Sequence, residues 1–283
     1  MKRWLKIALL LLTALAGIAA LVVASEVQHA IYPAPQHQLT LANLPPGARV
    51  VTVETADRLG IRGIEVPPRG DRPVLLFLHG NNGTPWSAVH WLAPLIARGY
   101  GVVAADYRGY NENPGTPGAG GLYADADAFY ARARARALAG GRPVWVVGHS
   151  LGCGPAFELA RRHRLDALVT IGAFATLRDA SPDWARLLIP NDYRNRDIVP
   201  QLDEPFFLVH GLRDTTIAPG HGAALLRAAH RASKSGAAFI LLDKGHSPPS
   251  RQVEEIVLQI DRWRTAGRIA PATIPGMRIV PFR

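Results

Sequence analysis

Apolar residues cluster along this chain in short uninterrupted runs, separated by longer stretches of mixed polarity. R-V-V-T-V-E-T (49–55) and I-R-G-I-E-V (61–66) read as two early strands joined by a turn at 57–60, a hairpin at a sheet edge. R-P-V-L-L-F-L-H-G (72–80) is continuously apolar, as suits a central parallel strand covered on both faces. Residues 85–98 then read as a helix and Y-G-V-V-A-A-D-Y (100–107) as a strand. A Gly/Pro-rich loop over 109–121 leads to an alanine-rich helix over 122–139, closed by Gly140 and Gly141. P-V-W-V-V-G-H (143–149) is a strand, 151–163 a helix, and A-L-V-T-I-G (167–172) a strand. Phe206–Val209 is a further strand, followed by a helix over 220–232. A-A-F-I-L-L-D (237–243) reads as the last strand and 251–263 as the last helix. Such alternation predicts an α/β domain with a mostly parallel sheet and helices on both faces.

The first 24 residues break this pattern. M-K-R-W-L-K is basic, and residues 7–24 carry no charge. That is the order of a cleavable signal peptide or of a membrane anchor. Both readings keep the basic end inside and export the rest, to a periplasm or to the outer face of an inner membrane. Residues 25–48 hold four prolines and read as a linker, 49–265 as one catalytic-sized domain, and 266–283 as a proline-containing tail.

Composition adds two limits. The chain has 283 residues, 48% hydrophobic and 19% charged, enough for one large core. Its formal net charge of +10 is scattered, without zinc-finger spacing or a basic-aromatic tract, so nucleic acid is not an expected partner. Cys153 is the only cysteine, which excludes an internal disulfide; three residues past Ser150, it is expected to be buried as a small apolar residue.

Ligand sites in open α/β sheets lie outside the carboxyl ends of the strands. There, G-H-S-L-G (148–152) joins a strand directly to a helix, the context of a nucleophile elbow. Small residues at 148 and 152 permit the tight turn that lifts Ser150 from the sheet. His246, in L-L-D-K-G-H-S after a late strand, is the expected base. Asp214, in the loop after the preceding strand, is the expected orienting acid, with Asp243 as its rival. The Leu151 amide and that of Asn81, in F-L-H-G-N-N-G, are the expected oxyanion donors, with Asn82 as the alternative to Asn81. His79 and His210 are expected to be structural.

H-G-N-N (79–82), D-Y-R-G-Y (106–110), G-H-S-L-G (148–152), H-G-L-R-D (210–214) and G-H (245–246) together resemble the α/β-hydrolase superfamily. More closely the chain looks like serine hydrolases related to the membrane-associated α/β-hydrolase-domain proteins, over about residues 50–265. The resemblance implies the α/β-hydrolase fold, with Ser150 as nucleophile, Asp214 as acid, His246 as base and an oxyanion hole at Asn81 and Leu151. It also implies that D-Y-R-G-Y is architectural, and that the substrate is a small-molecule ester, thioester or acyl lipid hydrolysed without metal or organic cofactor. A short segment over 173–204, with one small helix expected over 179–189, stands where a lid would be. Its compactness favours small or medium acyl groups. Phe174, Leu177, Trp184, Leu187 and Leu188 are the candidates to line an acyl pocket. Peptidase or amidase action with the same triad, and a non-catalytic membrane-tethered binding module, are the alternatives.

Overall fold

The computed structural model describes residues 2–37, 43–190, 192–267 and 272–282. A mixed sheet organises them in the order β1-β2-β4-β3-β5-β6-β7-β8-β10-β9. The strands are β1 (Arg49–Glu54), β2 (Gly60–Val66), β3 (Val74–Leu78), β4 (Gly101–Ala104), β5 (Val144–His149), β6 (Ala167–Ile171), β7 (Phe206–Gly211), β8 (Gly236–Leu241), β9 (Ala272–Ile274) and β10 (Met277–Pro281). From β4 to β8 every neighbouring pair is parallel. The early hairpin pairs antiparallel and joins β4 antiparallel, at one edge.

Strand periodicity of two explains why the central strands are apolar throughout. Val74, Leu76 and Leu78 of β3 belong to one core, Leu75 and Phe77 to the other. The first core packs under α4 (Ala119–Leu138), α5 (Cys153–Arg162) and α8 (Pro219–Arg231), through Phe129, Phe157 and Leu225. The second packs under α2 (Pro85–Trp91), α3 (Ala93–Ala97) and α9 (Ser250–Ala266), through Val89, Leu95 and Ile256.

Four expectations need correction. The helix expected over 85–98 is two, because Pro94 has no N–H to give a continuing helix and the chain breaks at Leu92. The single helix expected over 179–189 is α6 (Leu177–Ala180) followed by a 3-10 turn at Asp183–Ala185, divided at Ser181-Pro182; α7 (Asn195–Ile198) comes later in the same segment. β8 is not the last strand, since the supposed tail supplies β10, antiparallel to β8, and β9 beyond it. Finally, α1 (Lys2–Ile31) continues seven residues past the apolar stretch into the region read as linker. No proline or glycine stops it before Pro33, and its polar residues Glu26, Gln28 and His29 are compatible with helix. Parts of the linker and tail, 38–42 and 268–271, lie outside the described residues.

Candidate active site

The turn at 148–152 is shaped by crowding. A Cβ on Gly152 would lie 2.1 Å from the Leu78 carbonyl oxygen, and one on Gly148 would lie 2.8 Å from Cys153 Cα. Only glycine lets β3, β5 and α5 meet this closely. Ser150 takes up the resulting bend with φ = +53°, a left-handed conformation that costs a non-glycine residue about 1–3 kcal/mol. It opens a short 3-10 turn, Ser150–Gly152, that runs directly into α5. First-turn amides of a helix lack intrahelical acceptors, so the Leu151 amide stands at the positive end of that helix.

Two loops hold the partners. Leu212 N donates to Leu241 O at 2.8 Å and Arg213 N to Lys244 O at 2.9 Å, which fastens the loop after β7 to the loop after β8. Asp214, from the first loop, lies 2.8 Å from His246 Nδ1, from the second, through Oδ2. Its Oδ1 accepts from the amides of Thr216 (2.9 Å) and Ile217 (2.8 Å). Burial alone would raise the Asp214 pKa, but the His246 contact and the two amides outweigh it and hold the carboxyl below its usual range. His246 Nε2 is buried and has no hydrogen-bond partner among the described residues. Gly172, at φ = +63°, makes room for this ring, as a Cβ there would sit 2.8 Å from His246 Cε1. Asp243, the rival orienter, instead meets Lys244 Nζ at 2.8 Å and is half exposed.

Asn81 follows a carbonyl that is held elsewhere. Gly80 O accepts from Gly83 N at 2.9 Å and lies 2.7 Å from His79 Nδ1. The peptide is trans, so the Asn81 N–H points away from those groups. The loop reaches Ser150 closely: a Cβ on Gly80 would be 3.1 Å from Ser150 Cβ. His79 Nε2 meets Asp106 Oδ1 at 3.0 Å, and Asn111 Nδ2 donates to both Asp106 oxygens. Arg108 is spanned by Asp125 and Asp57. These contacts support the loops beside the site and leave His79, Asp106 and Arg108 no free polar atom directed at Ser150.

Two cavities meet at Ser150 and share it with Asn81 and Thr216. One, of about 440 Å³, is bordered by polar groups including Asn82, Ser87, His149, His246 and Ser247. The other, of about 600 Å³, is apolar and runs past Leu151, Phe174, Leu177, Ala185, Ile189 and Ile217. Both volumes fall in the usual range of small-molecule sites, roughly 300–1,000 Å³.

The family model for the α/β hydrolase fold matches residues 73–194. Over 174 residues the chain is 31% identical to the lysophosphatidylserine lipase ABHD12 of Danio rerio, covering 53% of this chain and 45% of that protein. It is 30% identical over 159 residues to the α/β hydrolase domain-containing protein 17B of Xenopus laevis, covering 56% and 55%. Among solved structures it resembles the Pyrococcus furiosus esterase Pf2001, with a TM-score of 0.60 and 19% identity over 82% of this chain and 96% of that one. The Pyrococcus horikoshii acylaminoacyl peptidase gives a TM-score of 0.59 and 16% identity, over 77% and 41%. The chain has the α/β-hydrolase fold and is similar to α/β-hydrolase-domain proteins. It spans about half the length of the curated relatives it matches.

The structure brings Ser150, His246 and Asn81 to one cavity, with Asp214 behind His246 and Leu151 on the apolar side. Phe174 and Leu177 line the apolar cavity as expected, whereas Leu187 is 93% and Leu188 46% exposed, and neither lines it. The Trp184 side chain lies outside the described residues.

Sequence reasoning missed several contributors. Thr216 and Ile217 hold Asp214 through backbone amides, which leave no side-chain signal. His149 touches the His246 ring (centroids 5.1 Å apart) and Trp91 (5.0 Å), and its Nε2 lies 3.2 Å from Ser247 Oγ. Burial, then the nearby His246, pushes the His149 pKa down to about 3, so this ring stays neutral beside the site. Cys153 is buried, and burial pushes its thiol pKa far up.

Proposed function

We propose that this protein is a serine hydrolase that cleaves carboxylic ester or thioester bonds of acyl substrates through an acyl-enzyme. The observation that carries this reading is the Asp214–His246 pair at 2.8 Å: the His246 ring, whose Nε2 is buried and unpartnered among the described residues, borders the same cavity as Ser150 on its left-handed turn. Asp214 fixes the proton on Nδ1 and leaves Nε2 as the basic nitrogen. Ser150 Oγ attacks the carbonyl carbon while its proton passes to Nε2. The Leu151 and Asn81 amides receive the oxyanion. As the tetrahedral intermediate collapses, the bond to the alcohol or thiol breaks and the leaving group takes the proton from Nε2. Water, deprotonated by the same nitrogen, then releases the acid and restores Ser150.

The apolar cavity supports an acyl chain as the group retained on Ser150, and the smaller cavity, with Asn82, Ser87 and Ser247 on its border, supports the departing alcohol or thiol. The uncharged stretch of α1 supports membrane attachment with the hydrolase domain on the outer side. The test is a panel of p-nitrophenyl esters, acyl thioesters and aminoacyl amides, with fluorophosphonate labelling. Wild type turns over esters or thioesters and is labelled, and Ser150→Ala loses both while keeping its circular dichroism spectrum. Wild-type turnover retained by Ser150→Ala removes the assignment, and a preference for amides replaces ester chemistry with peptidase chemistry.

A further inference from the structure

One wall of the apolar cavity comes from outside the hydrolase domain. Val22, Val23, Glu26, Val27, Ala30 and Ile31 of α1 line it, opposite Phe174, Leu177 and Ile189. Their spacing, i, i+1, i+4, i+5, i+8, i+9, puts them on one side of the helix. The helix is also fastened there. Tyr32, just past its end, is buried, and its hydroxyl donates to Tyr193 Oη at 2.9 Å. Gln28 Nε2 donates to the Pro117 carbonyl at 2.5 Å. The wall is therefore set by polar contacts at two points and by packing of Tyr32 in the first core.

Among the described residues the same helix is the one long and apolar enough to cross a membrane, and its Leu10, Leu11, Leu12, Leu15 and Leu21 are exposed. No charge interrupts it between Lys6 and Glu26. At about 1.5 Å per residue, residues 7–25 extend about 28 Å, close to the ~30 Å hydrocarbon thickness of a bilayer. Val22 and Val23 thus belong at once to the outer end of the membrane-length stretch and to the cavity that ends at Ser150. On the opposite side, the segment that contributes Ala185 and Ile189 carries the exposed Leu187 and Leu188, an apolar surface beside the same cavity.

We propose that α1 is a structural wall of the acyl site, and that the acyl chain of a bilayer-resident, single-chain ester enters sideways from the hydrocarbon layer, between α1 and the 177–189 segment, to reach Ser150. This rests on the reading of Ser150 as nucleophile. Its physical basis is continuity of apolar surface: along this route the chain passes from lipid to protein without exposing methylenes to water. The ester group stops where α1 reaches Glu26, the first charge past its apolar stretch, and the headgroup lies toward the smaller cavity. α1 accordingly stays attached, because removal after residue 24 would take Val22 and Val23 from the wall.

The test uses the full chain in phosphatidylcholine nanodiscs. Ser150→Ala is irradiated with monopalmitoylglycerol carrying a diazirine at the chain end, and adducts are mapped by mass spectrometry. Adducts on residues 22–31 and 174–189 are expected; adducts absent from 22–31 overturn the proposal. In parallel, hydrolysis of hexadecanoyl and acetyl p-nitrophenyl esters is compared. Val27→Trp, which fills the cavity, lowers the long-to-short kcat/KM ratio at least about tenfold, and Ser25→Trp, off the lining face, leaves it unchanged. An unchanged ratio in Val27→Trp also overturns the proposal, and Val23→Trp serves the same purpose if that variant does not fold. Failure of wild type to hydrolyse any ester counts against the Ser150 reading alone, since cross-linking needs no turnover.

Discussion

Replacing Asp214 by asparagine isolates the role of one oxygen atom. Oδ1 accepts from two amides at 2.8 and 2.9 Å, and an asparagine carbonyl keeps both bonds. Oδ2, 2.8 Å from His246 Nδ1, becomes an NH2 group that can only donate. His246 then has to present Nδ1 as an acceptor, which moves its proton to Nε2 and removes the base from Ser150. Triads altered in this way lose about 10⁴-fold in kcat, or about 5.5 kcal/mol of transition-state stabilisation. The structural cost is smaller, about 1.5–3 kcal/mol for a hydrogen bond to a charged group, so Asp214→Asn remains folded. Steady-state hydrolysis of a p-nitrophenyl ester at pH 7–8 measures the loss, with Asp243→Asn as the comparison. Because Asp243 is turned to Lys244, that variant keeps wild-type activity. Asp214→Asn within about tenfold of wild type, or a loss confined to Asp243→Asn, refutes the assignment of the orienting carboxylate.

Two further outcomes follow from neighbours of the proposed triad. Gly172→Ala places a Cβ 2.8 Å from His246 Cε1 at φ = +63°, so kcat falls about 100-fold while the melting temperature drops by only a few degrees; wild-type kinetics in this variant would show that the ring tolerates displacement. His149 is held neutral, with a pKa near 3 folded against 6.5 unfolded, so between these values the unfolded chain binds the extra proton. Stability from this source is complete above pH 6.5 and is lost as pH falls toward 3, with a slope of at most about 1.4 kcal/mol per pH unit. His149→Gln flattens that acid limb in denaturant titrations between pH 4 and 7, and an unchanged slope contradicts the neutral ring.

The parallel sheet was legible because its strands are short apolar runs, such as Val74–Leu78, that no amphipathic helix would produce. Ser150, Asp214 and His246 could be named because each sits just past a strand in the expected order. Other features lacked a local signal. Residues 277–281 end on Pro281 and follow Pro275, a composition that reads as tail; proline is tolerated there because β10 and β9 lie toward the sheet edge. The choice between Asp214 and Asp243 depends on how two loops are fastened, and that depends on Arg213 meeting Lys244 thirty-one positions later. The α1 wall was the least visible feature. A membrane-length helix is recognised by its lack of charge, which says nothing about which half of it faces protein.

The antiparallel pairing of β10 with β8 has a bearing on how the chain folds. Met277 lies opposite Leu241 and Pro281 opposite Ala237, so contacts here join positions 36 to 44 residues apart, with the whole of α9 between them. Until residues 277–281 arrive, β8 presents an open row of backbone donors and acceptors beside the loop that carries His246. An open edge of this kind readily recruits a strand from another molecule. Residues 277–281 therefore act as a seal on β8, and a nascent domain waiting for them is vulnerable to association.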